Sequence, residues 1–197
     1  ILGEGNAFMR DVKKGIDDYL GATDNARNVP VVNLQCDIDH PTQTLADLAW
    51  LREHFGDVDA IRGKKIGVSW AYSPSYAKPL SVPQGLITLL TRFGADVTLA
   101  HPAGYDLTDA AVAAAAAHAA ESGGGFRVVD DMDEVFAGAD AVYPRSWGPL
   151  DLRTDRVAAN RAGDEQALDE IEARAVARNL EHPDWICDER RMALTAD

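Results

Sequence analysis

The chain has 197 residues, of which 46% are hydrophobic and 26% are charged, a composition typical of one globular domain or of one domain with part of another. Its 19 basic and 32 acidic residues give a formal net charge of −13. This charge argues against nucleic acid and against an anionic membrane as partners, because phosphate binding depends on Lys and Arg, and no apolar run approaches the roughly 18 residues of a membrane-spanning helix.

The two cysteines, Cys36 and Cys187, lie far apart and form no CxxC pair. Such a pattern argues against a disulfide framework and against a structural zinc site. We therefore expect a cytoplasmic protein that holds no metal.

Hydrophobic periodicity predicts strands that alternate with helices along the chain. A short apolar strand is expected at 29–35, followed by a helix within 37–56 whose apolar residues recur at three- and four-residue steps. Further strands are predicted at 64–71, 95–100, 126–129 and 140–144, and further helices at 84–93, 109–122, 131–138, 164–180 and 188–194. Thr108 is a candidate N-cap for the alanine-rich helix.

This alternation predicts an α/β fold, a Rossmann-like three-layer sandwich with a four- to five-stranded parallel sheet. Right-handed crossovers for the four strands between residues 64 and 144 give the strand order 3-2-1-4. Ligands of such sheets bind where the order reverses, outside the carboxyl ends of strands 1 and 4.

The loop after strand 1 has neither a GxGxxG nor a GxxxxGK[ST] motif, which disfavours NAD and ATP, so no cofactor is expected. Its prolines are equally consistent with a stiff surface loop. The side chains that it offers to a ligand are five hydroxyls and one cation: Tyr72, Ser73, Ser75, Tyr76, Ser81 and Lys78.

Arg145, Ser146 and Trp147 follow strand 4. An Arg at the carboxyl end of a strand can hold a carboxylate by two parallel hydrogen bonds. In an acidic protein the same cation could instead serve as a structural ion-pair partner.

The stretch "DIDHPTQTLADL" contains the start of the first predicted long helix. Asp39 or His40 can cap that helix, and Pro41 suits its first turn. His40 and Gln43 are additional hydrogen-bond donors at a helix N-terminus, where they could polarise a carbonyl and stabilise its oxyanion. A capped helix with two polar surface residues is the simpler alternative.

Several segments together resemble the aspartate/ornithine carbamoyltransferase family, its knotted branch and, within that branch, the YgeW-type group. The segments that carry the resemblance are "VNLQCDIDHPTQTLADLAWLREHFG", "GKKIGVSWA", "WAYSPSYAKPLSVPQG", "TLAHPAGYDL" and "YPRSWGP". The resemblance implies a transferase that moves the carbamoyl group of carbamoyl phosphate to the amine of an amino-acid-like acceptor.

In this family the His and Gln of the HPxQ motif contact the carbamoyl carbonyl, which assigns a catalytic role to His40 and Gln43. The loops at 72–81 and 145–149 become the acceptor-site candidates, with Tyr72, Ser75, Lys78, Ser81, Arg145, Ser146 and Trp147 as substrate-binding residues. Ornithine-using relatives carry an acidic residue near the Arg145 position. The basic residue here suggests an acceptor with an anionic group.

The resemblance also implies a division into a tail of the carbamoyl-phosphate domain at 1–36, a linker helix at 37–56 and a C-terminally truncated acceptor-binding domain at 57–197. The family's SxRT and HCLP tetrads do not occur in the chain. We therefore expect the chain to be inactive alone, with the strand at 29–35 docked elsewhere or paired with another copy.

The family implies a homotrimer for the full-length protein. It also implies a knot in which the chain after strand 4 passes through the loop that contains "KPLSVP". The rival interpretation is a non-catalytic module that binds a small metabolite or mediates assembly.

Overall fold

The computed structural model of the chain describes residues 5–75 and 78–196, so Tyr76 lies outside the described residues. Its sheet contains four parallel strands in the order β3-β2-β1-β4, which confirms the predicted order. The strands are β1 (Lys65–Trp70), β2 (Asp96–Ala100), β3 (Gly125–Val129) and β4 (Ala141–Arg145). Trp70 pairs with Arg145, so the carboxyl ends of β1 and β4 meet at one edge of the sheet.

Right-handed crossovers place the helices between β1 and β3 on one face of the sheet and the helix between β3 and β4 on the other. At Gly67 that last helix approaches the sheet closely, because a Cβ there would lie 2.4 Å from Val135 Cγ1. The helices are α1 (Ala7–Ala22), α2 (Pro41–Phe55), α3 (Ser81–Arg92), α4 (Asp109–Ser122), α5 (Met132–Phe136), α6 (Leu150–Ala162), α7 (Glu165–Asn179) and α8 (Glu189–Met192), with a 3-10 turn at Asp59–Ile61.

The largest fully buried side chains include Trp70 at the end of β1, Trp147 just after β4, and Tyr105. The rings of Trp70 and Tyr105 are 4.6 Å apart between centroids. Indole nitrogens and backbone carbonyls join the three residues, since Trp70 Nε1 donates to Trp147 O at 2.9 Å and Trp147 Nε1 donates to Tyr105 O at 2.8 Å. The core therefore supports the edge at which the sequence places the ligand.

The strand predicted at 29–35 is wrong, because the segment is irregular and has no ladder partner. A strand needs a neighbouring strand for its backbone hydrogen bonds, and the four described strands pair only among themselves. Side chains hold the segment instead, with Asn33 Nδ2 donating to Asn6 Oδ1 at 2.8 Å and to Asp39 Oδ1 at 2.6 Å. Val32 and Leu34 stay exposed.

Helices α1 and α6 were not predicted. Helix α1 is amphipathic, but Leu20 is its one buried residue, and apolar residues such as Val12 and Tyr19 stay exposed. Helix α6 packs with α7 through a small separate cluster of Leu152, Ala159, Ile171 and Ala175. Helix α6 therefore shows little of the periodicity on which a helix prediction depends, whereas α1 does show it.

Thr108 does occupy the N-cap position of α4, but its side chain does not cap the helix. Its hydroxyl donates instead to Gln84 Oε1 at 2.6 Å. Helix α3 begins at Ser81, three residues earlier than predicted, with Pro83 in its first turn, where a missing N–H costs no helical hydrogen bond.

None of the described helices is both long and apolar enough to cross a membrane. Cys36 is buried, Cys187 is half-buried, and both are free thiols. The cytoplasmic location remains a prediction.

Tyr105 joins α7 to the core, because its hydroxyl donates to Asn179 Oδ1 at 2.6 Å. Burial raises the pKa of Tyr105 to about 12, against about 10 in an unfolded chain. A raised folded pKa means that the phenol stabilises the fold fully below about pH 10 and loses that contribution as the pH rises toward the folded pKa.

We therefore expect Tyr105→Phe to lower the free energy of unfolding by about 1–3 kcal/mol at neutral pH, because Asn179 loses its buried donor. Between about pH 10 and the folded pKa the variant should lose less stability than the parent, since it has no phenol to ionise at this position. Urea unfolding at a series of alkaline pH values measures both effects. Equal alkaline losses in the two proteins would contradict this expectation.

Candidate active site

His40 is the N-cap of α2 and uses one ring nitrogen for that purpose. Its Nδ1 accepts the backbone N–H of Gln43 at 3.2 Å, and Pro41 follows in the first turn. A ring nitrogen that accepts a hydrogen bond carries no proton, so the neutral ring has its proton on Nε2. The capping arrangement thus leaves Nε2–H as the donor that His40 can offer to a ligand.

Gln43 is oriented by a carboxylate one helical turn away. Its Nε2 donates to Asp47 Oδ1 at 2.9 Å, an (i, i+4) contact along α2. An amide beside a carboxylate must turn its NH₂ group toward it, which directs the carbonyl oxygen Oε1 elsewhere. Gln43 therefore keeps one amide hydrogen and its Oε1 for other partners.

Asp47 connects α2 to the end of β4. Burial raises the pKa of the Tyr143 phenol, the Asp47 carboxylate raises it further, and the Arg145 guanidinium opposes that increase. Because such effects act over a few ångströms, the carboxylate and the guanidinium both lie close to the Tyr143 ring. The structure thus brings the HPTQ end of α2 and Arg145 into one cluster.

Three buried polar atoms around this cluster have no hydrogen-bond partner among the described residues. They are Asp47 Oδ2, Arg145 Nε and Ser146 Oγ. Native proteins rarely leave buried polar atoms unpaired, and each exception needs an explanation. A carboxylate acceptor, a cationic donor and a hydroxyl at one edge of the sheet are suited to a polar ligand.

Two of the predicted substrate-binding residues are fully enclosed. Trp147 has 0% of its surface exposed, and its indole N–H is occupied by Tyr105 O. Ser81 is also buried, and Gln35 Nε2 donates to its hydroxyl at 3.5 Å. Direct ligand contact by Trp147 and Ser81 remains a prediction, and their burial favours a supporting role.

The other predicted loop residues lie at or near the surface. Tyr72 is half-buried and its N–H donates to Trp185 O at 2.7 Å, whereas Ser75 and Lys78 are exposed. Gly148 N donates to Lys78 O at 3.1 Å, so the segment after β4 lies against the proline-containing loop. This contact does not establish a knot.

Asn179, at the end of α7, holds the loop after β1 in place. Its Nδ2 donates to Ser73 O at 3.0 Å and to Ser75 O at 3.2 Å, while Tyr105 donates to its Oδ1. The side chain is 1% exposed. All of its side-chain polar atoms are used, so Asn179 is a structural clamp for the loop after β1.

Helix α3 fixes the HPTQ turn against the sheet. Gln84 Nε2 donates to Ile38 O at 2.6 Å, just before the turn. A Cβ at Gly85 would lie 2.7 Å from Thr44 Oγ1, so the absence of a side chain lets α2 approach α3 closely. The position of His40 relative to the sheet therefore depends on α3.

Sequence reasoning missed Asp47 and Tyr143. The spacing of Asp47 from Gln43 could have indicated the first, since residues four apart on a helix face each other. Tyr143 lies within β4 and carries no comparable signal in the sequence, because its role depends on Asp47 of α2 lying near its phenol.

The chain matches the family model described as aspartate/ornithine carbamoyltransferase, Asp/Orn binding domain, over residues 80–174. It is 54% identical over 196 residues to the protein named Putative carbamoyltransferase YgeW of Escherichia coli strain K12, with 100% of this chain and 50% of that protein covered. It is 40% identical over 170 residues to N-acetylornithine carbamoyltransferase of Xanthomonas campestris, with 85% of this chain and 44% of that protein covered.

Among solved structures, the chain is similar to a mutant N-acetyl-L-ornithine transcarbamylase complexed with carbamyl phosphate and N-succinyl-L-norvaline. The TM-score is 0.70 at 35% sequence identity, with 93% of this chain and 50% of that chain covered. The chain spans about half the length of the curated relatives it matches. These similarities extend across its sheet and its HPTQ helix, and the chain belongs to the aspartate/ornithine carbamoyltransferase family.

Proposed function

We propose that the chain is the acceptor-binding portion of an enzyme that moves the carbamoyl group of carbamoyl phosphate to the amine of an amino-acid-like acceptor. The observation that carries this proposal is the cluster that joins Gln43, Asp47, Tyr143 and Arg145 across α2 and β4. A relative with carbamyl phosphate and N-succinyl-L-norvaline bound supports the same two ligand classes here.

His40 is the proposed donor to the carbamoyl oxygen. Attack by an amine on the carbamoyl carbon places negative charge on that oxygen, and a fixed donor stabilises this charge in the transition state. His40 Nε2–H is available because Nδ1 caps α2. The helix N-terminus adds favourable partial positive charge.

Gln43 is the proposed contact for the carbamoyl amino group. One of the two amide hydrogens of Gln43 is donated to Asp47. Gln43 therefore has one amide hydrogen left, fewer than the sequence suggests for contact with the carbonyl oxygen. Its Oε1 is an acceptor, and the amino group of a carbamoyl moiety has hydrogens to donate. A donor from His40 and an acceptor from Gln43 would together fix the orientation of the carbamoyl plane.

Arg145 is the proposed partner for an anionic group of the acceptor. Its buried Nε has no hydrogen-bond partner among the described residues. A guanidinium binds a carboxylate, whereas it would repel the side-chain ammonium of unmodified ornithine. Tyr72, Ser75 and Lys78 would contribute to the rim, and Ser146 would add a hydroxyl. Trp147 and Ser81 would support the loops from within the core.

We expect Arg145→Ala, in a longer protein that carries this chain, to raise the KM for the acceptor about 10- to 100-fold, the equivalent of one charge-assisted hydrogen bond. The KM for carbamoyl phosphate should change much less. Phosphate release with carbamoyl phosphate and a panel of amines is the assay. Arg52→Ala, on the exposed end of α2, is the matched control, and equal losses for both substrates in the Arg145 variant would contradict the assigned role.

We also propose the domain division at 1–36, 37–56 and 57–197, a homotrimer for the full-length protein and passage of the chain after Trp147 through the proline-containing loop. The 197-residue chain alone should not turn over, since the resemblance assigns phosphate binding to an SxRT tetrad that it lacks. Carbamoyl transfer by this chain alone would refute that point. Absence of transfer by the longer protein with every amine would favour the rival non-catalytic metabolite-binding or assembly module.

A further inference from the structure

Gln84, in the first turn of α3, is a buried amide whose side-chain oxygen and nitrogen both have partners. The residue is 2% exposed. Its Oε1 accepts two hydrogen bonds from Thr108, one from the backbone N–H at 3.0 Å and one from the hydroxyl at 2.6 Å. Its Nε2 donates to Ile38 O at 2.6 Å. Because the Thr108 N–H can only donate, the amide must face it with its oxygen, and Nε2 then faces Ile38 O.

The Ile38 carbonyl belongs to the turn that leads into His40. Within this turn the Cys36 N–H donates to Asp39 O at 2.9 Å. The Cys36 Sγ in turn accepts the N–H groups of Ile38 and Asp39, each at 3.4 Å. The turn is therefore held together internally, and a displacement of the Ile38 carbonyl also displaces His40, two residues later.

Helix α3 is a rigid base for this attachment. Leu86, Ile87 and Leu90 are at most 1% exposed and belong to the main hydrophobic core. Side chains in a close-packed core occupy defined positions, so Gln84 fixes the turn relative to the sheet. The turn also contacts residues outside α3 and the sheet, which are Gly5, Asn33 and Arg153.

The other end of the Gln84 amide leads toward the two loops proposed for the acceptor. Thr108 lies three residues after Tyr105. Tyr105 O accepts the indole N–H of Trp147, just after β4, and the Tyr105 hydroxyl donates to Asn179, which holds the loop after β1. Gln84 thus joins the turn that carries His40 to the segment that supports both acceptor loops.

We propose that Gln84 is a positioning residue for carbamoyl transfer, an inference that rests on the proposed function. It holds the turn before His40 in register with the acceptor loops, so that the His40 Nε2–H and the bound acceptor meet at the same carbamoyl group. Catalytic groups must be held within about 0.5 Å of their productive positions, and a misplacement of about 1 Å can cost roughly 100-fold in rate. Gln84 acts through His40 rather than by contact with substrate.

A double-variant cycle in a longer protein that carries this chain tests this inference. Gln84→Met replaces the amide by an apolar side chain of similar length, so Ile38 O loses its donor. With His40 present, this variant should lower kcat about 10- to 100-fold. In the His40→Asn background no His40 donor is left to misplace, and Gln84→Met should change kcat by less than about threefold. A residue that only stabilises the fold would lower kcat equally in both backgrounds, and equal losses would overturn the proposal.

Thr91→Val is the matched control, because Thr91 is also buried in α3 and its hydroxyl donates to Ile87 O at 2.7 Å. It removes a buried hydrogen bond from the same helix without touching the turn, and it should keep the parent kcat.

A second variant, Gln84→Asn, keeps the amide on a side chain one methylene group shorter, too short to keep all three contacts. It replaces Gln84→Met in the cycle if circular dichroism shows the Met variant to be unfolded. A parent protein that transfers no carbamoyl group to any amine would refute the proposed function itself. An active parent whose kcat is unchanged by the Gln84 variants would overturn only the role of Gln84.

Discussion

Replacement of Trp147 by Ala is expected to lower the free energy of unfolding by about 3–5 kcal/mol, the usual cost of removing a large aromatic side chain from a core. The indole is fully buried, and its N–H donates to Tyr105 O. The variant loses apolar burial, leaves a cavity and leaves a buried carbonyl without its donor. Denaturant unfolding followed by circular dichroism measures the change.

Trp50→Ala is the matched control, because Trp50 is 72% exposed. It should change stability by no more than about 0.5 kcal/mol. The free energy of unfolding of Trp147→Phe should lie between those of the parent and the Ala variant, since phenylalanine keeps an aromatic ring but has no N–H donor. Similar losses at Trp147 and Trp50 would mean that Trp147 does not anchor the segment after β4.

His40→Asn is expected to reduce kcat about 10²- to 10³-fold in a longer protein that carries this chain, as does removal of one oxyanion donor in other acyl-transfer enzymes. Asparagine is among the preferred N-cap residues, so the variant keeps an acceptor for the Gln43 N–H while it removes the Nε2–H donor. The chemical step should therefore be slower while helix α2 stays folded.

His40→Ala separates these two roles, because it removes the cap as well and should cost about 1 kcal/mol of stability that the Asn variant keeps. His54→Asn, on the exposed end of α2, is the control and should retain the parent kcat. Full activity of His40→Asn would assign His40 to helix capping alone.

The order of the strands was predictable because each strand is a short run with several apolar residues and right-handed crossovers leave few topologies. The failure at 29–35 has the opposite cause. Its apolar residues resemble those of a strand, but a strand also needs a partner, and no described strand pairs with the segment. The local sequence pattern predicted the apolar composition of a strand, but it could not predict whether a partner strand is present. Helix α6 was missed because its buried contacts are few and lie mainly with α7.

The candidate site was predictable to a similar degree. His40 and Gln43 stand in a compact motif, and Arg145 follows a strand whose carboxyl end faces the site. Asp47 and Tyr143, which connect these residues, are evident only from the folded structure, in which Asp47 of α2 acts on the Tyr143 phenol of β4. A connection between residues that are distant in sequence depends on tertiary packing, which spacing along one element does not encode.

A crystal structure of a longer protein that carries this chain, with carbamoyl phosphate bound, is the most direct test of the proposed catalytic roles. We expect His40 Nε2 to lie about 3 Å from the carbamoyl oxygen and the Gln43 carboxamide about 3 Å from the carbamoyl amino group, within hydrogen-bond distance. A carbamoyl group bound away from both side chains, or a turn at His40 that faces a different cavity from Arg145, would contradict these roles.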